Sequence, residues 1–392
     1  MKQFITLLLL LSVTPCLRAQ KKELSQARSY IKSGKYTEAE KLMTSLLKDS
    51  ANRTNKRIYL TWYDAVRGQY EAGNEKLYLK QQYDTAAFFA LTKRLFAVAE
   101  TLDSLDKKPD AKGRVALDYR AKHSNQMNAI RPNLFNGGTF HVRKNAWKEA
   151  FAFFESYIDC ARQPLFASYG YADNDKRMPE AAYWATYCGY RMGDAVLTLR
   201  YHQRALQDSA KADFTLQFIA EARRWLKDDE LYVATLQEGF RRFPQFPYFF
   251  PRLMDVYTGR GQYDKALAVA DSALAVNDSS LLYNFAKSST LLRMGRYKES
   301  IEYSDRLLML NDSMPEAYFN AGTAYVSMTN GKDSRKDRKL IRSYYQKARL
   351  YLEHYRALAP DEKDKWAPLL YRIYLNLNMG RQFDEIDRLL KK

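Results

Sequence analysis

At 392 residues the chain can hold two or three ordinary domains or one long repeat array, and 46% hydrophobic content is ample for a packed core. Only 16 Gly and 11 Pro beside plentiful Ala, Leu, Lys and Glu point to helices, while three cysteines exclude a disulfide framework. Lys and Arg number 63 against 45 acidic residues, a net charge of +18 that can attract nucleic acid, anionic lipid or acidic proteins.

The first nineteen residues have the layout of a secretory signal peptide. Lys2 supplies a positive start, Phe4 to Val13 is an apolar run broken only by Thr6 and Ser12, and Ala19 is a small residue at a cleavage point. The run is short of the roughly 20 apolar residues that a membrane span needs. Cys16 raises lipid attachment as an alternative, but Pro15 disfavours it, so the reading is an exported protein of the periplasm or cell envelope. Loss of Lys2 and Arg18 would leave 61 basic against 45 acidic residues, a net +16. Export argues against nucleic acid as a target. The densest basic cluster, Lys332, Arg335, Lys336, Arg338 and Lys339, is interrupted by Asp333 and Asp337 and reads as a solvated loop.

Residues 20–162 read as a divergent helical region. Gly34-Lys35-Tyr36-Thr37-Glu38-Ala39 opens a second helix, and Trp147-Lys148-Glu149-Ala150 opens another. Between them the equivalent alanines Ala39, Ala86 and Ala150 lie 47 and then 64 residues apart, so the intervening helices are longer or extra. Residues 163–178, with Pro164, Gly170 and Asp173-Asn174-Asp175, read as a linker. From 179 to 392 the pattern is regular. Gly261-Gln262-Tyr263-Asp264-Lys265-Ala266-Leu267 returns 34 residues later as Gly295-Arg296-Tyr297-Lys298-Glu299-Ser300-Ile301. Asn277-Asp278-Ser279 likewise returns as Asn311-Asp312-Ser313, and the same step runs back from Gly261 to Lys227 and Gly193. An insertion near 329–342 separates the helix Ala317 to Val326 from its partner, Tyr344 to Leu358, and a last pair runs from Trp366 to Met379 and from Phe383 to Leu390.

A 34-residue period with these Gly, Tyr and Ala positions resembles the tetratricopeptide repeat. The resemblance implies an all-α, right-handed superhelical solenoid of antiparallel helix pairs, about eight or nine repeats, some divergent. It also implies that first helices line a concave surface that binds proteins or peptides. Carried over by register, the partner-facing residues are Tyr183, Tyr187 and Tyr190, then Tyr248 and Arg252, Phe285, and Phe319 with Asn320. The Tyr183/Tyr187/Tyr190 stripe is the leading choice, since tyrosines give broad contact at low entropy cost. Packing between repeats is the competing role for any one of these aromatics. The Lys and Asn pattern by which some members hold a terminal carboxylate is not evident.

Catalytic constellations are not legible. His123, His141, His202 and His354 are too far apart for a helical metal pair, and Cys160 and Cys188 lack Cys-x-x-Cys spacing; whether these two cysteines pair is open. Asn136-Gly137-Gly138-Thr139 follows no strand and lacks a Lys-Ser/Thr ending, so close helix packing explains its glycines better than phosphate binding. The functional expectation is a non-catalytic scaffold or adaptor of the bacterial envelope with no cofactor or metal. The alternative is an accessory module for polysaccharide or cell-wall assembly that holds acidic polymer or lipid on its basic surface.

Overall fold

The computed structural model describes residues 20–109 and 112–391, so the leader-like residues 1–19 lie outside the described residues. Every regular element among the described residues is helical, and the chain forms two compact units, Met1–Leu226 and Lys227–Lys392.

The first unit opens with α1 (residues 20–32) and α2 (Tyr36–Leu46), joined through Gly34 at φ 73°. α3 (Lys56–Tyr78) and α4 (Thr85–Asp106) are 23 and 22 residues long. Side chains of Asn55 and Asp84 cap their first turns, each accepting from an N–H two residues on. These lengths, with the additional helix α5 (Arg120–Ile130), account for the wide spacing of Ala39, Ala86 and Ala150. α6 (Pro132–Arg143) and α7 (Trp147–Asp159) restore a compact pair. A side chain at Gly137 or Gly138 would come within 2.8 or 2.6 Å of the Phe153 or Phe154 ring, so these glycines serve close helix packing as expected.

Residues 163–178 do not form an open linker. Pro164–Tyr169 is a 3-10 helix and α8 (Tyr171–Asn174) a single turn, and Leu165, Phe166, Tyr171 and Met178 are buried in the unit's core. The fastening is Arg131, whose guanidinium lies 3.7 and 3.8 Å from the ring centres of Tyr157 and Tyr171. It donates to Asp175 Oδ2 at 2.7 Å and to the Tyr157 carbonyl at 3.0 Å. The Pro, Gly and Asp residues that read as linker shape a tight path, while Leu165, Phe166, Tyr171 and Met178 turn into the core. The boundary between compact units falls instead after Leu226.

α9 (Met178–Met192) follows, then a second helix broken at Tyr201 into α10 (Ala195–Arg200) and α11 (His202–Ala205), and α12 (Ala212–Trp225). Cys160 and Cys188 are both buried free thiols, and burial pushes each up to about 12.

The second unit holds α13 (Asp229–Arg242), α14 (Phe249–Gly259), α15 (Tyr263–Val276), α16 (Leu281–Arg293), α17 (Tyr297–Leu310) and α18 (Pro315–Ser327). α19 (Arg338–Leu358), α20 (Lys363–Leu377) and α21 (Gly380–Leu390) complete it. The ladder has a backbone cause: Gly193, Lys227, Gly261 and Gly295 all stand at positive φ, between 58° and 73°. Each closes the turn from a first to a second helix, where a left-handed residue ends the helix and glycine carries no penalty. Asn277 and Asn311 accept from the N–H groups of Ser279 and Ser313, repeating one Asx turn at the same interval. The insertion is an exposed turn in which Asp333 Oδ1 accepts from the N–H groups of Arg335 and Lys336, and α19 starts six residues earlier than its sequence pattern indicates.

Candidate partner-binding site

In the second unit the first helices α14 and α16 enclose a groove of 260 Å³. Its floor is the buried Phe250 and Met254, with the Phe250 ring packed 6.0 Å from Phe240 and 4.6 Å from Tyr283, and its walls are Pro251 and Thr258 on one side and Leu282, Phe285 and Ser289 on the other. Leu282 is 48% exposed, and the exposed Asp255 and Arg293 bring one charge of each sign to the lining. The positions 251, 255 and 258 along one helix, and 282, 285 and 289 along the next, follow the three-to-four-residue step of a single helix face. α14 and α16 therefore present these side chains on one common face, with an apolar centre and a charged edge.

Of the residues expected to face a partner, Phe285 lines this groove directly. Tyr248 is buried, with the Arg252 guanidinium 3.7 Å above its ring, so this pair braces the start of α14. Phe319 is half-buried and packs 5.0 Å from Tyr355. Asn320 is buried and donates to Ser288 Oγ at 3.2 Å and Ser289 Oγ at 3.0 Å, extending a hydroxyl network that joins Ser288 with Ser300 and Ser304. Its place is between helices, because an amide at this register reaches the preceding first helix before it reaches solvent.

In the first unit Tyr183 is only 9% exposed, with Lys211 Nζ 4.9 Å from its ring centre, and burial raises its hydroxyl to about 12. The expected three-tyrosine face is thus reduced to Tyr187 and Tyr190, both half-buried. Tyr190 stacks on Phe218 at 4.6 Å and on Trp225 at 5.7 Å, and Arg191 donates to the Tyr187 hydroxyl at 2.7 Å while lying 4.4 Å over Trp147. The sequence reading missed Trp225, Arg191 and Leu282. Leu282 stands three residues before Phe285 and shares its helix face, a signal available in the spacing. The pairing of Arg191 with Trp147 crosses between repeats and had no such signal.

Among the described residues, no group of three or more His, Cys, Asp and Glu side chains could hold a metal ion, and no helix is long and apolar enough to cross a membrane. No family profile and no curated protein matches the sequence. Solved structures do resemble it. The C-terminal part of a TPR repeat-containing protein from Cytophaga hutchinsonii is 13% identical, with 64% of this chain and 92% of that one covered at a TM-score of 0.45. Yeast Tom70 is 11% identical, covering 94% of this chain and 83% of its own, at a TM-score of 0.35. The TPR2AB domain of yeast Sti1, solved with an Hsp90 segment, is 14% identical over 75% of this chain and 98% of its own, at 0.26. The repeats of this chain are tetratricopeptide-like. That statement rests on the left-handed turn residues at 34-residue intervals and the helix pairs they join.

Proposed function

We propose that this chain is a non-catalytic scaffold that binds segments of other proteins on its first-helix faces. The observation that carries this is the α14–α16 groove, where an exposed Leu282 and a half-buried Phe285 flank a buried apolar floor. Exposed apolar side chains gathered over such a floor gain most from a partner side chain that excludes water. The wall residues also sit on rigid helices, so little ordering cost falls on the scaffold when a partner binds. Tyr187, Tyr190 and the adjoining Trp225 offer a second aromatic face in the first unit. We place the protein in the bacterial cell envelope on the strength of the leader-like residues 1–19.

The test is crosslinking-assisted capture of partners from the native envelope, comparing wild type with Leu282→Glu and Phe285→Ala. Truncating a residue central to an interface costs about 2 kcal/mol or more, so partner recovery by either variant should fall at least about tenfold. Both variants must retain the wild-type melting curve. An unchanged set of partners captured by a well-folded double variant refutes the groove assignment.

A further inference from the structure

A second groove lies in the first unit, on the second helices α4 and α7. α4 packs on α3 and α6, and α7 packs on α6 and α9, leaving between α4 and α7 an open groove of 760 Å³. That volume is within the roughly 300–1,000 Å³ typical of ligand-binding clefts. Ala86, Ala90 and Ala97 of α4 and Ala152 of α7 line it, with the Phe153 ring beneath. Phe153 is buried, with Phe89 at 6.3 Å and with His141, which also lines the groove, stacked on it at 5.3 Å.

The charges around this apolar floor are mainly cationic. Lys93, Arg94 and Lys148 line the groove against one acid, Glu149. Lys93 Nζ sits 5.7 Å from the Phe153 ring centre and is half-buried, and burial depresses its affinity for a proton despite the nearby Glu155. Arg94 already meets Glu40 at 3.0 Å, so Lys93 and Lys148 are the cations on which an incoming carboxylate would act. Alanine walls let another backbone approach closely, and a helix laid in such a groove needs apolar anchors on one face. A partner with acidic flanks would also be steered by the positive rim.

We infer that the α4–α7 groove is a docking site for an acidic amphipathic helix of a partner protein, with its apolar face on Phe153 and the alanines and its carboxylates toward Lys93 and Lys148.

The experiment measures fluorescence anisotropy of labelled synthetic helical peptides with one leucine face, flanked either by glutamates or by lysines, on the full chain. The glutamate peptide should bind saturably, more weakly as salt is raised, and the lysine peptide should bind at least tenfold more weakly. Ala90→Arg, which fills the groove from an exposed position, should weaken the glutamate peptide tenfold or more, and Lys93→Glu with Lys148→Glu should reverse the preference between peptides. Leu282→Glu should change neither. The inference is overturned if the glutamate peptide shows no saturable binding up to about 100 μM. It is also overturned if both peptides bind alike, if well-folded Ala90→Arg binds as wild type does, or if Leu282→Glu rather than Ala90→Arg removes binding.

Discussion

Replacing Gly189 with alanine sets two known effects against each other. In an unobstructed helix interior the change stabilises by about 1 kcal/mol, because alanine loses less backbone freedom on folding. At Gly189 the new Cβ would stand 2.4 Å from the Thr198 backbone nitrogen, with the Leu197 carbonyl carbon and the Thr198 Cα both at 2.7 Å. These are backbone atoms of α10, so no side-chain rotation relieves the contact and the helix pair must separate. Overpacking of this kind costs about 1–3 kcal/mol, and because the three nearest atoms are all backbone the cost falls at the upper end, about 3 kcal/mol. The net is a loss of about 2 kcal/mol, or a fall in Tm of roughly 4–8 °C for a unit of this size. Gly259→Ala is the matched control, at the end of α14 with nothing within 4 Å of its new Cβ. It should be neutral or stabilising. Thermal and urea unfolding followed by far-UV circular dichroism reads both. If Gly189→Ala is as stable as wild type, α9 and α10 are not held at the close approach described, and the reasoning fails.

Other changes test the remaining structure. Arg131→Ala should destabilise by about 3 kcal/mol, because it removes a buried guanidinium and leaves the half-buried Asp175 without its cation. Asp175 is pushed up by burial, but hydrogen bonds from Tyr157 and Arg131 hold its carboxyl below the ordinary value. Its contribution is therefore present above about pH 4, where the unfolded carboxyl is ionised, and is lost as pH falls through the lower folded value. Acid titration of Tm should show a smaller loss in Asp175→Asn than in wild type. Glu100 behaves in the opposite sense: burial, then the nearby Asp159, raise its carboxyl to about 7. The folded state holds this proton after the unfolded state has released it, so stability falls as pH rises from about 4 to 7. Glu100→Gln should raise Tm at pH 8 and change it little at pH 4, and an equal shift at both values would contradict this. Asn320→Ala should cost about 1–2 kcal/mol by stripping partners from Ser288 and Ser289, measured by urea unfolding of the full chain.

The 34-residue ladder was legible in the sequence by itself, and with it the helix pairs, because turn geometry acts locally. A residue at positive φ and an Asx turn each constrain three or four neighbouring residues, so their chemistry recurs wherever the turn recurs. Even Lys227, chemically unlike its glycine counterparts, keeps its place in that register. Exposure was not legible in the same way. Tyr183 and Tyr187 share one helix face, yet the first is buried and the second half-buried, because what covers a side chain comes from the neighbouring repeat. Asn320 reads as a polar groove residue until Ser288 and Ser289 of the preceding first helix are seen to engage its amide. Residues 163–178 carry loop-forming amino acids, but the clamp on Arg131 by Tyr171 and Asp175 brings them into the core across as many as 44 residues of sequence. The α4–α7 groove depends likewise on helices that sequence spacing alone does not bring together. Periodic backbone chemistry fixed which residues form helices and where they turn, while tertiary packing alone decided which of their faces remained available to a partner.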